Sequence, residues 1–537
     1  RFDRALALGS PTAETLLDRA LALGRLRRFE EAAASCNRAL TMAPDNAEAH
    51  FLNADLLSQM GSLTEALDSL THALALQPNM LPALGNRAAI AQMLGRFEAA
   101  LADYDRILTL EPRNVEAWSE RGNALCSLFR FDEALESVDR ALALDSRHLK
   151  ALHNRGIVLW NMDRFAEALD SYDRALVIAP DVPQIQTSRA NALVGLLKLE
   201  EAMAAHNAIA ARLPDFAQGR WNRAQCLLLL GKWKEGFAEF EWRKRQPESA
   251  WRFPQRARSE WRGKDDLSGK TLLLRAEQGF GDTLQFVRYG ALAQAQGARV
   301  ILAVQPGLKR LLQNGFDGAD AVIGLDEPEP PHDFQAEMMS LALAFGTEVE
   351  SVPANVPYIR AEESLSDAWR EKLGGHGFKI GVSWQGSAYS GGRSFPLAAL
   401  ADIAKLPNIR LVSLQKGVGR EQLHSLPPGM CVETLGPAYN AGDFAETAAV
   451  LSALDLVITC DTAMAHLAGA LARPAWVALK HAGDWRWLTG RDDSPWYPTM
   501  RLFRQPAAGD WQSVFAAMAR NLTGGFHAPA VLDPLSP

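Results

Sequence analysis

The chain has 537 residues, of which 48% are hydrophobic and 22% charged, a composition that argues against disorder and has room for more than one packed domain. Its formal net charge of −7 offers no basic field to nucleic acid or to an anionic membrane face, and argues against both as partners. No apolar stretch approaches the roughly 18 to 20 residues that cross a bilayer, so no membrane span is expected.

The first half is periodic. Pro44, Pro78, Pro112, Pro180 and Pro214 lie on one ladder with a 34-residue step, and Ser146 fills the missing rung. Arg87, Arg121, Arg155, Arg189 and Arg223 share a second rung; Asp105, Asp139 and Asp173 share a third. Within one unit, "NRAAIAQMLGRFEAALADYDRILTLEP" (86–112) places small and apolar residues at helical spacing, turns at Gly95, and runs into a second amphipathic helix closed by Pro. Two helices per step, repeated about seven times, resemble the tetratricopeptide repeat, whose units stack into a superhelix. The array is expected over residues 1–245, with "RFDRALALGSP" at its start read as the second helix of a truncated unit. Asn86, Asn123, Asn154, Asn191 and Asn222 recur on the first helices, where their amides suit either an extended acceptor peptide's backbone or polar contacts between repeats.

A polar seam is expected at 246–270, formed by a last irregular repeat that packs on the next domain. From Thr271 the pattern changes to short apolar runs between helices. "TLLL" (271–274), "ARVILAV" (298–304), "AVIGL" (321–325), "KIGVSW" (379–384), "IRLVSLQ" (409–415), "DLVITC" (455–460) and "AWVAL" (475–479) read as strands buried on both faces, which predicts parallel sheets. The Pro-bearing connection near 351–378 divides them into two lobes, 271–377 and 378–525, before a tail at 526–537. Five cysteines form no CxxC and are scattered; they read as buried thiols of a cytoplasmic protein, with neither a disulfide framework nor a zinc site.

Open α/β lobes bind ligands where strands end and helices begin, and three such junctions carry chemistry. In "AEQGFGDTLQFVRY" (276–289), Gly279 and Gly281 let backbone N–H groups approach a ligand. Asp282 then suits a general base, yet with Gln285 it also has the spacing of a capping box, and spacing leaves both readings open. In "SWQGSAYSGGRSFPL" (383–397), Arg393 suits a phosphate or a solvated surface loop, and Lys416 is a second cation. In "CDTAMAHLAGAL" (460–471), Asp461 and Thr462 open a helix whose positive end suits a diphosphate, with His466 one turn in; the alternative is an Asp cap and a His bonded within the interlobe wall.

"GDTLQFVRY" and "DTAMAHLAGALARP" resemble the heptosyltransferase-like glycosyltransferases of the GT-B fold. Together with the repeats, "GRSFPL", "SLQKG" and "DWRWLTGRDDSPWYPTMRLFRQ" (484–505) resemble bacterial repeat-linked glycosyltransferases of the flagellin-modifying type, an arrangement similar to that of the O-GlcNAc transferase. The resemblance covers nearly the whole chain. It implies an α-helical tetratricopeptide superhelix followed by an α/β GT-B-like domain of two Rossmann-like lobes, and an inverting transfer that needs no metal or other cofactor. It makes Asp282 the base, Arg393 the cation for the donor phosphate, and Asp461, Thr462 and His466 donor contacts, beside which Gly281 and Lys416 are read as donor-binding from their junctions. The expected partners are a nucleotide sugar, carrying N-acetylglucosamine or a nonulosonic acid such as pseudaminic acid, and a protein acceptor, flagellin foremost, recruited by the repeats. Competing readings are an inactive repeat scaffold and an enzyme acting on a glycan or lipid-linked saccharide.

Overall fold

A computed structural model describes residues 12–246, 260–386 and 392–524. The opening fragment, most of the seam, the middle of "SWQGSAYSGGRSFPL" and the tail lie outside the described residues. The described chain divides into two compact units, Arg1–Arg189 and Ala190–Pro537, so the division falls inside the repeat array and not at its end.

Helices come in antiparallel pairs, from Ala13–Arg25 with Phe29–Met42 to Ala217–Leu229 with Trp233–Phe240, seven pairs among the described residues. The turn inside each pair places one residue in the left-handed region, on a rung of its own: Arg27, Gly61, Gly95, Phe129, Asp163, Leu197 and Gly231 all have φ between 55° and 81°. Glycine adopts this conformation without a Cβ penalty. Around Gly95 an added Cβ would meet nothing within 4 Å, so Gly95→Ala tests the backbone term alone. The expected result is a loss of about 1 to 2 kcal/mol from the array, read as a lower denaturation midpoint by circular dichroism.

The arginine rung stitches neighbouring repeats. Arg121 Nε bonds Asp105 at 2.6 Å in the preceding helix and Arg121 Nη1 bonds Ser137 Oγ at 2.6 Å in the next; Arg155 repeats this with Asp139 and Ser171. Arg87 has Thr71 where its neighbours find Asp, and pairs with Asp103 of its own unit at 2.6 Å. Both carboxylates of Asp103-Tyr104-Asp105 are thereby committed to arginines.

The second unit contains the last repeats and two parallel sheets. The first sheet has the order β3-β2-β1-β4, with β1 Thr271–Arg275, β2 Arg299–Val304, β3 Ala321–Gly324 and β4 Phe334–Glu337. The second has the order β10-β9-β8-β5-β6-β7, with β5 Phe378–Ser383, β6 Ile409–Ser413, β7 Val432–Thr434, β8 Leu456–Cys460, β9 Ala475–Leu479 and β10 Met500–Arg504. All seven expected strands form. The three additional ones, β4, β7 and β10, occupy sheet edges, and "FQAE", "VET" and "MRLFR" are too short or too polar to stand out as apolar runs. Four cysteines are buried, but Cys431 is exposed because it precedes the short edge strand β7.

One apolar core runs through this unit, from Leu199 and Trp233 in the last repeats through Leu272 and Leu274 of β1 to Trp485 and Trp496. Trp233 stacks on Trp496 with ring centroids 5.1 Å apart and meets Trp485 edge-on at 6.1 Å. Beside it, Arg243 is buried and forks onto Glu277, both bonds 2.7 Å, while its Nη2 also donates to Ser340 Oγ. The two lobes are tied by buried Arg288, whose Nη1 donates to the carbonyls of Pro353 at 3.0 Å and Trp496 at 2.9 Å.

Glu337, at the end of β4, has a buried carboxylate oxygen without a hydrogen-bond partner among the described residues. Burial first, and the Glu277 charge second, push its carboxyl up to about 7, against Lys244, Arg275 and Arg243. The fold thus keeps a proton that the unfolded chain loses near 4.5, and stability falls as pH rises from there to about 7. Glu337→Gln is expected to leave the melting temperature unchanged near about pH 4 and to raise it near about pH 8, by the equivalent of about 2 to 3 kcal/mol. Scanning calorimetry at the two pH values checks the sign.

Candidate active site

A cleft of about 670 Å³ lies between the lobes of the second unit, at the C-terminal ends of β1, β5, β6 and β8. Gly281, Asp282, Arg393, Lys416, Asp461, Thr462 and His466 all line it. The three junctions singled out in the sequence therefore converge on one space.

On the first lobe, β1 leads to Gly279, which caps the helix Phe280–Phe286. A Cβ at Gly281 would stand 2.8 Å from His466 Cδ2 and 3.4 Å from the Ala463 Cα, so glycine here lets the two lobes' helices touch. Asp282 is at the third helical position. Its Oδ2 accepts the Gly279 N–H at 2.9 Å, and its Oδ1 accepts from Arg486 Nη2 at 2.6 Å across the cleft. Half of a capping box forms, and it is displaced: the Asp282 side chain reaches back to the Gly279 N–H and not forward to Gln285, while Gly279 has no side chain to complete it, because the helix starts two residues earlier than the Asp. Burial raises the Asp282 carboxyl above its ordinary value; Arg486 and the Gly279 amide oppose this, and Asp484 and Glu277 add to it. A carboxylate made more basic by burial suits proton abstraction.

Arg486 carries no role in the sequence reading, although it stands in the quoted "DWRW". Its guanidinium bonds Gln285 Oε1 at 2.7 Å, Asp484 Oδ1 at 2.9 Å and Asp282, and lies 4.4 Å from the Trp485 ring. An Arg between two tryptophans is the signal that marks it, since burying a guanidinium calls for several acceptors. Phe280 and Phe444, 4.9 Å apart, face each other at the cleft.

On the second lobe, Asp461 is buried at the end of β8, with Arg393 Nη1 3.8 Å from its Oδ2. Burial raises its carboxyl and the Asp484 charge raises it further, against Arg393. Thr462, not Asp461, caps the helix Ala463–Ala470, with Oγ1 accepting from the Met464 N–H at 3.4 Å. His466 shares a 2.9 Å hydrogen bond between Nδ1 and Tyr497 Oη and stacks on Trp487 at 5.5 Å. Burial, and then the charges of Arg486, Arg288 and Arg393, hold the imidazole well below its ordinary pKa, so it is neutral. Lys416 Nζ donates to the Gly442 carbonyl at 2.8 Å and Thr447 Oγ1 at 3.1 Å, and burial lowers its pKa.

The asparagines do not form a single set. Asn86, Asn123 and Asn154 belong to the first unit, Asn191 and Asn222 to the second. Asn86 is exposed, and Asn123 and Asn191 are half-buried. Asn154 is buried and donates to Ser119 O at 3.1 Å and Oγ at 3.0 Å in the preceding repeat; Asn222 is buried and accepts from Gln218 at 3.2 Å. The Asn154 amide thus makes a contact between repeats.

Repeats of this kind and a two-lobed α/β cleft are similar to a tetratricopeptide array joined to a heptosyltransferase-like glycosyltransferase domain. Residues 398–479 match glycosyltransferase family 9 (heptosyltransferase), and residues 17–80, 87–146 and 128–183 match the tetratricopeptide repeat. The family 9 segment includes Lys416, Asp461, Thr462 and His466; Asp282, Arg393 and Arg486 lie outside it. Protein FlbA of Caulobacter vibrioides is 27% identical over 287 residues, which are 49% of this chain and 48% of that protein. The chain thus spans about half the length of the curated relative it matches. Among solved structures, a tetratricopeptide repeat protein from Parabacteroides merdae is 22% identical and covers 43% of this chain and 91% of its own, with a TM-score of 0.40. A thermophilic tetratricopeptide protein of Thermus thermophilus is 25% identical and covers 34% of this chain and 100% of its own, with a TM-score of 0.28.

Proposed function

We propose that the chain is a cytoplasmic protein O-glycosyltransferase that moves a sugar, with inversion and without a metal, from a nucleotide sugar to Ser or Thr of a protein acceptor, flagellin foremost. The carrying observation is the cleft itself: a carboxylate raised by burial on one lobe faces, on the other, two arginines and the start of a helix. The donor's phosphate sits against Arg393 and the first N–H groups of the helix Ala463–Ala470. The acceptor oxygen attacks the anomeric carbon from the opposite face while its proton passes to Asp282. The bond from that carbon to the phosphate oxygen breaks, and its electron pair leaves on the phosphate.

Support for a protein acceptor comes from the repeats, and for flagellin from the resemblance to flagellin-modifying enzymes. The transferred group is N-acetylglucosamine from its UDP ester or a nonulosonic acid, such as pseudaminic acid, from its CMP ester. Intact-mass analysis of flagellin from cells with and without the gene tests the reading. Loss of a discrete mass on deletion supports it and identifies the sugar; an unchanged mass removes flagellin as acceptor. One observation favours a second reading, an inactive scaffold: both Asp282 oxygens are already hydrogen-bonded. Failure of the chain to bind any nucleotide would favour the scaffold.

A further inference from the structure

A base whose oxygens accept from an amide and a guanidinium is held by both, and the guanidinium's charge opposes its taking a proton. Of its two partners, the Gly279 amide is fixed by the start of the helix, whereas Arg486 is a side chain on the opposite lobe and lines the cleft where the donor enters. Three of its five N–H donors are engaged among the described residues, one each on Nε, Nη1 and Nη2. Gln285 and Asp484 hold the guanidinium in place independently of Asp282.

We infer that Arg486 exchanges partners during turnover: a phosphate oxygen of the bound nucleotide takes it from Asp282, and the Asp282 oxygen it leaves becomes the acceptor's base. This rests on the glycosyltransferase reading above. A guanidinium fork matches phosphate as well as it matches carboxylate, so the exchange replaces one ion pair with another and strands no buried cation. Asp282 meanwhile loses the bond from Arg486, whose charge the phosphate now balances. Asp484 and Glu277, both negative, continue to act on it, and His466 across the cleft is neutral, so its basicity rises when the donor arrives. The order of events is built in: without donor the base is held, and a water or hydroxyl in the cleft is not activated. At the chemical step the acceptor proton goes to Asp282 and the leaving phosphate carries its electron pair beside Arg486. Arg486 is in this sense a positioning residue for the base and a ligand for the leaving group.

The exchange has a signature that a fixed tether lacks, because it puts nucleotide and Asp282 in competition for one guanidinium. Calorimetric titration with UDP and with CMP reads it in the full chain. Arg486→Gln is expected to weaken the nucleotide that binds by about 10- to 100-fold, the loss of a charge-assisted pair. Asp282→Asn is expected to do the opposite and tighten it several-fold, since no ion pair has to be broken. If Asp282→Asn weakens binding or leaves it unchanged, the exchange is wrong and the pair is a static strut. Asp282→Asn leaves Arg486 in place, so this sign is readable even if Arg486→Gln fails to fold. If neither nucleotide binds the native chain, the glycosyltransferase reading fails and the inference falls with it; binding that follows the wrong sign sinks only the exchange.

Discussion

Asp282→Asn is expected to abolish sugar transfer while leaving the fold intact. The substitution keeps the side chain's shape and one acceptor oxygen, so either the bond from the Gly279 amide or that from Arg486 survives. What is removed is the ability to take a proton, and general-base catalysis contributes about 10²- to 10⁴-fold. The variant should therefore fail to restore the glycosylated mass of the acceptor in cells lacking the gene, although its circular dichroism spectrum and melting temperature remain near native. Near-normal transfer would show that Asp282 is only the helix's internal cap, and would move the search for a base to Asp443, Asp461 and Asp484, the other carboxylates lining the cleft.

The second large effect lies outside the cleft, one packing layer behind Arg486. Trp233 is 1% exposed and its Nε1 donates to the Leu228 carbonyl at 2.9 Å. Its ring fills the space between the last repeat and the segment that carries Arg486. Trp233→Ala is expected to destabilise the second unit by about 3 to 5 kcal/mol, as for other large aromatic deletions from a core. Denaturant titration followed by tryptophan fluorescence measures this, and nucleotide binding should weaken in the same variant as Trp485 loses its edge contact. Unaltered stability would mean that the last repeat is a lodger on the domain and not part of its core.

Much of this was legible in the sequence because it is periodic or abrupt. The repeats announce themselves through proline, arginine and aspartate rungs, and the buried strands through runs of Val, Ile and Leu that leave no polar face. Seven of the cleft's residues were legible as well, because strand-to-helix junctions are where such folds bind. The edge strands β4, β7 and β10 were not, since an edge tolerates polar residues that erase the pattern. Nor was Arg486. Its partners Asp282 and Gln285 lie some two hundred positions earlier in the chain, and no spacing rule reaches that far. The place of each asparagine was equally hidden: the same rung holds an exposed amide at Asn86 and a buried one at Asn154, because neighbours, and not period, decide burial.

The division at Arg189 and Ala190 has a consequence for how such a chain diversifies. Repeats ahead of it make their stitches among themselves, Arg155 to Asp139 and Arg189 to Asp173. Those behind it share a core with the cleft's own scaffold. Upstream units can be lengthened, shuffled or replaced as long as the local rungs match, whereas the final ones are inherited with the cleft. Variation in the array thus has its latitude on one side of that junction, and the packing around the cleft sets the terms on the other.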